Sequence, residues 1–259
     1  MILDEIAERT RLRVAEEKSA VPLSEMKKRA LDMGVGTAPD FKAALSGGDI
    51  AFICEVKRAS PSKGVIAEDF PYLRIAQEYE QAGAAAISCL TEPYWFKGSD
   101  EYLREIAAAV NIPVLRKDFT VDEYMLYQAK TLGAAAVLLI CSILSAEQLK
   151  EYLEITHSLG LSALVEAHDE QEVRTALSAG AGVIGVNNRD LRTFTVDIGN
   201  SARLRKLVPP QVLFVSESGI RTAEDIEALR KNGTNAVIVG ETLMRSPDKR
   251  AALAELRGG

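Results

Sequence analysis

VDEYMLYQAKTLGAAAVLLI, residues 121–140, contains the unit that the rest of the chain repeats. Positions 121–132 alternate charged and apolar residues at three- and four-residue spacing, the pattern of a helix with one buried face. Gly133 comes next, where a helix ends through a left-handed residue that glycine adopts without steric cost. The run 134–140 is then apolar at every position. A strand without polar alternation is covered on both faces, as in a parallel sheet.

Working outward, β-rich runs recur at 50–56, 84–90, 112–117, 134–140, 161–166, 182–187, 211–217 and 235–240. Helix-like segments such as 121–132 and 222–232 separate most of them. QAGA (81–84), SAGAG (178–182) and KNGTN (231–235) repeat the glycine stop. Eight strand–helix units in roughly 210 residues predict a closed (β/α)8 TIM barrel of the α/β class. An open doubly wound sheet would carry a Gly-rich fingerprint after its first strand, and VKRASPSKG (56–64) is not one.

Residues 1–47 lie outside this pattern. Ile2, Leu3, Ile6 and Val14 predict an amphipathic helix, Pro22–Met33 a second one that stops at Gly34, and DFKAALSGGD (40–49) a short third. No linker rich in Pro, Gly or Ser separates these helices from the first strand. A single domain over 1–259 is expected, with a helical extension (1–47) packed on the barrel (48–259).

The 259 residues suit one such barrel. A net charge of -6, with no Lys/Arg block, argues against nucleic-acid binding. The N-terminus lacks a secretory signal, and the apolar stretch from Ala134 to Cys141 is too short to span a bilayer, so no membrane association is expected. Cys54, Cys89 and Cys141 sit singly in apolar runs and read as core residues in a reducing cytoplasm. Two His and no CxxC pair argue against a structural zinc.

In such barrels the chemistry gathers where strands end. Here the ends carry Glu55 and Lys57, Lys117, Glu166, Asn187 with Arg189 just beyond, and Glu217. Strand period two puts Glu55 and Lys57 on one face. Burying several charges costs several kcal/mol each unless they are partnered, which a catalytic mouth explains better than rim decoration. Ser218 and Gly219 succeed the seventh strand and Gly240 ends the eighth, where these barrels commonly bind phosphate. Ser60, Ser62, Lys63 and Arg189 could add donors.

EVKRASPSKG (55–64), SCLTEPYWFKGS (88–99), PVLRKDF (113–119), AVLLI (136–140), LVEAH (164–168), IGVNNRDL (184–191), VSESGI (215–220) and VGETLMR (239–245) together resemble the indole-3-glycerol-phosphate synthase family of tryptophan biosynthesis. The resemblance covers nearly the whole barrel. It implies a carboxy-lyase acting on a small phosphorylated anthranilate derivative, 1-(o-carboxyphenylamino)-1-deoxyribulose 5-phosphate. The products would be indole-3-glycerol phosphate, carbon dioxide and water. No metal or organic cofactor is implied, and a monomer is expected.

By that resemblance Lys117 is the general acid, with a pKa expected to be lowered by burial or by Lys57, and Glu166 is the base of the dehydration. Glu55 and Glu217 would stabilise positive charge on the aniline nitrogen, and Asn187 would hold the polar groups in register. Lys57 would meet the substrate carboxylate or phosphate. Phe96, Phe119, Leu138 and Leu191 match positions that pack on the aromatic ring, and Ser60 belongs to a loop closing over the site. Glu241 stands where a serine can occur. A phosphate there requires its backbone N–H, with the carboxylate turned away. Trp95, His157 and His168 receive no role, His168 reading as a loop or helix-start residue.

Two alternatives compete. Phosphoribosylanthranilate isomerase, also a phosphate-binding barrel, would use a cysteine at the end of strand one, but parity turns Cys54 away from the mouth. A non-catalytic scaffold would retain a costly charge cluster without using it.

Overall fold

The computed structural model describes residues 2–190 and 193–258. Eight parallel strands close into a barrel in chain order: β1 (Ala51–Val56), β2 (Ala86–Leu90), β3 (Val114–Lys117), β4 (Ala136–Ile140), β5 (Ser162–Ala167), β6 (Val183–Asn187), β7 (Leu213–Glu217) and β8 (Ala236–Val239). β8 returns to β1 through the register Ala51↔Ala236 to Cys54↔Val239, so the barrel itself has no open edge. The expected TIM barrel is the observed fold.

The apolar runs are buried on both faces because they serve two cores. Ile53, Ala86, Leu115, Leu138, Leu164, Val215 and Ile238 point into the barrel. Cys54, Ile87, Val137, Val165 and Phe214 point outward against the helices. The glycine stops behave as the sequence predicts: Gly83, Gly133, Gly180 and Gly233 all adopt positive φ, between 80° and 91°. All three cysteines are free and buried.

The N-terminal segment forms α1 (Ile2–Ala20), α2 (Leu23–Asp32) and α3 (Phe41–Ala44). α1 buries Leu3, Ile6, Ala7, Thr10 and Val14. Its polar side is fixed by Arg13, which donates to both oxygens of Asp118 at 3.0 and 2.9 Å, and by Lys18 against Asp122 at 2.6 Å. Asp118 directly succeeds β3, so the first helix is clamped next to the end of that strand. No helix among the described residues is long and apolar enough to cross a membrane.

Candidate active site

At the C-terminal end of the barrel lies a cavity of about 400 Å³. Register brings the polar strand ends to its floor: Leu90 pairs with Lys117, Ile140 with Glu166, and Asn187 with Glu217. Glu55, Lys57, Lys117, Glu166, Asn187 and Glu217 all line it.

Lys117 is the hub. Its Nζ donates to Glu217 Oε2 at 3.1 Å and to Glu166 Oε2 at 3.4 Å. Burial alone would lower its pKa, but the charges of Glu217, Glu166 and Glu55 reverse the sign and hold it raised. The expected lowering is therefore corrected. Lys57, expected to depress Lys117 as a neighbouring cation, is itself paired with Glu55 Oε1 at 2.6 Å. Three carboxylates around one ammonium outweigh both burial and that cation.

The carboxylates are not equivalent. Burial disfavours charge on Glu166, yet Lys117, His168 and Asn187 hold its pKa well below the usual range. Glu55 is likewise held low against burial, by Lys57 and Lys117. Glu217 goes the other way, to about 7, because burial and the charges of Glu166 and Glu55 outweigh its bond to Lys117. Its Oε1 is buried with no hydrogen-bond partner among the described residues.

Two glycines make the crowding possible. A Cβ on Gly185 of β6 would overlap Glu217 Oε1 and stand 3.2 Å from Leu164 Cδ1. A Cβ on Gly240 would stand 2.6 Å from Glu55 Oε1 and 3.0 Å from Lys57 Nζ.

Ser218, Gly219, Gly240 and Glu241 also line the cavity, as do Ser60, Ser62, Arg189 and Arg245. Ser218 and Gly219 both take positive φ, 68° and 86°. The strained Ser218 is held through its carbonyl, which accepts from Asn188 Nδ2 at 3.1 Å. Asn188 also donates to Ser216 and accepts from Ser201. The side chain of Glu241 is engaged by Arg245 Nε at 3.1 Å and Lys63 Nζ at 3.7 Å. Lys63 lies on a small hairpin, Ala59–Ser60 against Gly64–Val65, that fills the loop after β1.

Phe96, Phe119 and Leu138 also line the cavity, the two rings 5.9 Å apart and tilted by 42°. The loop bearing Phe96 is pinned because Glu92 accepts from the backbone N–H groups of Tyr94, Trp95 and Phe96. Leu191 lies outside the described residues. Ile2, Leu3 and Ile6 of α1 complete the wall. Cys54 faces the helix layer and lines no part of the cavity, as parity predicts.

Sequence reasoning placed His168 at a loop or helix start, where it is, and gave it no role. Its ring lies between two carboxylates, Nε2 3.3 Å from Glu166 Oε1 and Nδ1 3.0 Å from Glu172 Oε2, and its pKa is raised to about 10. Burial opposes that rise, and the two flanking carboxylates, Glu166 and Glu172, cause it. The signal was present in the spacing E-A-H of Glu166 and His168, which one strand face would align.

Residues 3–256 match the model of a family described as indole-3-glycerol phosphate synthase. A curated protein of that description from Ruminiclostridium cellulolyticum is 57% identical over 258 residues, covering 100% of this chain and 99% of the relative. Another, from Endomicrobium trichonymphae, is 55% identical and covers 99% of this chain and 100% of its own. Among solved structures, thiamine phosphate pyrophosphorylase from Pyrococcus furiosus superposes with a TM-score of 0.61 at 17% identity, covering 84% of this chain and 96% of that one. At that identity the likeness concerns the fold alone.

Proposed function

The chain belongs to the indole-3-glycerol phosphate synthase family of tryptophan biosynthesis, and from this premise we propose how its residues divide the reaction. The family is a carboxy-lyase family whose substrate is a phosphorylated anthranilate derivative. The reaction closes a ring on 1-(o-carboxyphenylamino)-1-deoxyribulose 5-phosphate and releases carbon dioxide and water.

In this reading the phosphate lies on the Ser218–Gly219 and Gly240–Glu241 backbone, with Arg189 and Ser60 nearby. The aromatic ring stacks between Phe96, Phe119 and Leu138. Lys117 delivers a proton to the ketone oxygen as the ring carbon attacks. The acid is ready only when its carboxylates let go. As positive charge develops on the aniline nitrogen, Glu217 and Glu55 turn to it, and their hold on the ammonium weakens. Glu166, held ionised, then takes the proton lost in dehydration, and Asn187, 3.4 Å from it, keeps its orientation. Lys57, freed as Glu55 turns, meets the substrate carboxylate.

The observation that carries this reading is Lys117 held between Glu166 and Glu217 beside an aromatic-lined cavity. A monomer is the expected working form. The three buried free thiols fit a reducing cytoplasm. The test is to offer the carboxyphenylamino ketose phosphate and phosphoribosylanthranilate separately. Indole fluorescence and carbon dioxide must appear with the first, and turnover of the second alone would overturn the reading.

A further inference from the structure

His168 has no part in the proton transfers assigned to Lys117 and Glu166, yet it is the best-fixed polar side chain beside Glu166. It comes after Ala167, the last residue of β5, and precedes α4 (Glu170–Ala179), whose N-cap is Asp169. Two neighbouring helices hold it. Glu172 on α4 takes the backbone N–H at 2.8 Å and Nδ1 at 3.0 Å through the same Oε2. Asn200 Nδ2, on α5 (Gly199–Leu204), donates to the His168 carbonyl at 3.0 Å and to the Asn187 carbonyl at 3.4 Å. Nε2 is buried and makes no aligned hydrogen bond, with Glu166 Oε1 3.3 Å away.

Ionised carboxylates only accept hydrogen bonds. A ring with a carboxylate at each nitrogen therefore satisfies both only as imidazolium, with two N–H donors. Of the charged groups around the ring, Glu166 from β5 and Glu172 from α4 favour the imidazolium, and only Lys117, lying beyond Glu166 and paired with it, opposes it. The unaligned Nε2–H needs only a turn of the Glu166 carboxylate to gain its partner, and that turn frees Oε2 from Lys117.

We propose that His168 is a positioning residue for the reaction: clamped by Glu172, its Nε2–H sets the rotation of the Glu166 carboxylate and so aims one oxygen at the proton to be removed. This rests on the reading of Glu166 as the base and adds a line of control, Glu172 to His168 to Glu166, running from α4 to the cavity. His168 itself touches neither substrate nor reacting atoms.

The experiment compares His168→Ala, His168→Gln, Glu172→Gln, Glu166→Gln and the double variant H168Q/E166Q in steady-state kinetics on the full chain, with thermal melts of each. Misaiming a catalytic group by about 1 Å costs up to roughly 100-fold, so H168A should lose about that much in kcat with KM nearly unchanged. H168Q, which keeps an N–H donor, should recover about tenfold of that loss. E172Q leaves the ring and removes the negative charge that favours its second N–H, weakening the clamp, and should lower kcat in the same direction with a melt close to the parent. If His168 acts through Glu166, H168Q adds nothing to E166Q. Parental kcat in both H168Q and E172Q, or full additivity with E166Q, overturns the proposal while a crippled E166Q leaves the base assignment standing. A fully active E166Q removes the base assignment and this proposal together. Should H168A fail to fold, H168Q and E172Q carry the test.

Discussion

Lys117 donates to Glu217 across one hundred positions of sequence, 3.1 Å from nitrogen to oxygen. The same nitrogen also donates to Glu166, so one ammonium is shared by two buried carboxylates. Lys117→Ala should therefore lower kcat by about 100-fold or more, the ordinary scale of a general acid, with substrate affinity largely kept. Indole fluorescence measures the rate and product titration the affinity. A variant as fast as the parent would remove Lys117 from the acid role.

The raised pKa of Glu217 has a consequence for stability. The native chain keeps a proton that the unfolded chain releases between its ordinary value of 4.5 and about 7. The contribution is full below the lower value and is lost as pH rises through the higher one, because the native state then binds more protons than the unfolded state. Glu217→Gln should flatten this slope and melt above the parent at pH 8 by roughly 2–4 °C per kcal/mol gained. It should also be slower by about 100-fold, having lost a charge that stabilises the aniline cation. Equal melting curves at pH 5 and pH 8 in both proteins would contradict the assignment.

Glu241 occupies two cations that a phosphate could use, Lys63 at 3.7 Å and Arg245 at 3.1 Å. Glu241→Ser releases both and removes a negative charge from that wall. KM should fall by about two- to fivefold at low salt, with the gain fading as ionic strength rises, since these groups are partly exposed. An unchanged or higher KM at low salt would mean that the carboxylate does not compete with the phosphate.

Gly185 carries no polar group, yet Glu217 depends on it. Gly185→Ala pushes a methyl group into Glu217 Oε1. Destabilisation of about 1–3 kcal/mol is expected, as in other overpacked cores, together with a kcat defect resembling that of Glu217→Gln. Urea unfolding and steady-state kinetics on one preparation would check both. Full stability and rate would show that the carboxylate has room to move.

Arg13 and Asp118 tie the first helix to the end of β3, with Asp118 2% exposed. Arg13→Ala leaves that carboxylate with Thr91 at 2.6 Å, the backbone N–H of Phe119 at 2.8 Å and the more distant Arg116 at 3.8 Å. A loss of about 3–5 kcal/mol is expected for breaking a buried pair from one side. A melt unchanged within a degree would show the clamp to be dispensable.

The barrel was legible because its physics is periodic: each unit spells helix, glycine, apolar strand, and covered strands leave no doubt about which residues are buried. The strand-end charges were legible for a related reason, since Glu55, Lys117, Glu166 and Glu217 interrupt runs that are otherwise apolar. The sign of the Lys117 shift was not legible. It depends on how many carboxylates arrive from other strands and how near, and register decides that, not composition. His168 received no role and Asn188 no mention because their partners lie on other elements, Glu172 and Ser201 on neighbouring helices. Gly185 was missed because a glycine inside a strand reads as a packing concession until the group filling the space is known.

The sulfur atoms give the molecule a built-in reporter. Cys54, Cys89 and Cys141 hang from β1, from β2 and from the turn just after β4. Burial pushes Cys54 and Cys141 up to about 12 and Cys89 higher still. Intact molecules thus offer an alkylating reagent almost no thiolate. Labelling should wait for the staves to part and then take all three sites at once, so a mass spectrum would jump from zero adducts to three and time the opening of the scaffold directly.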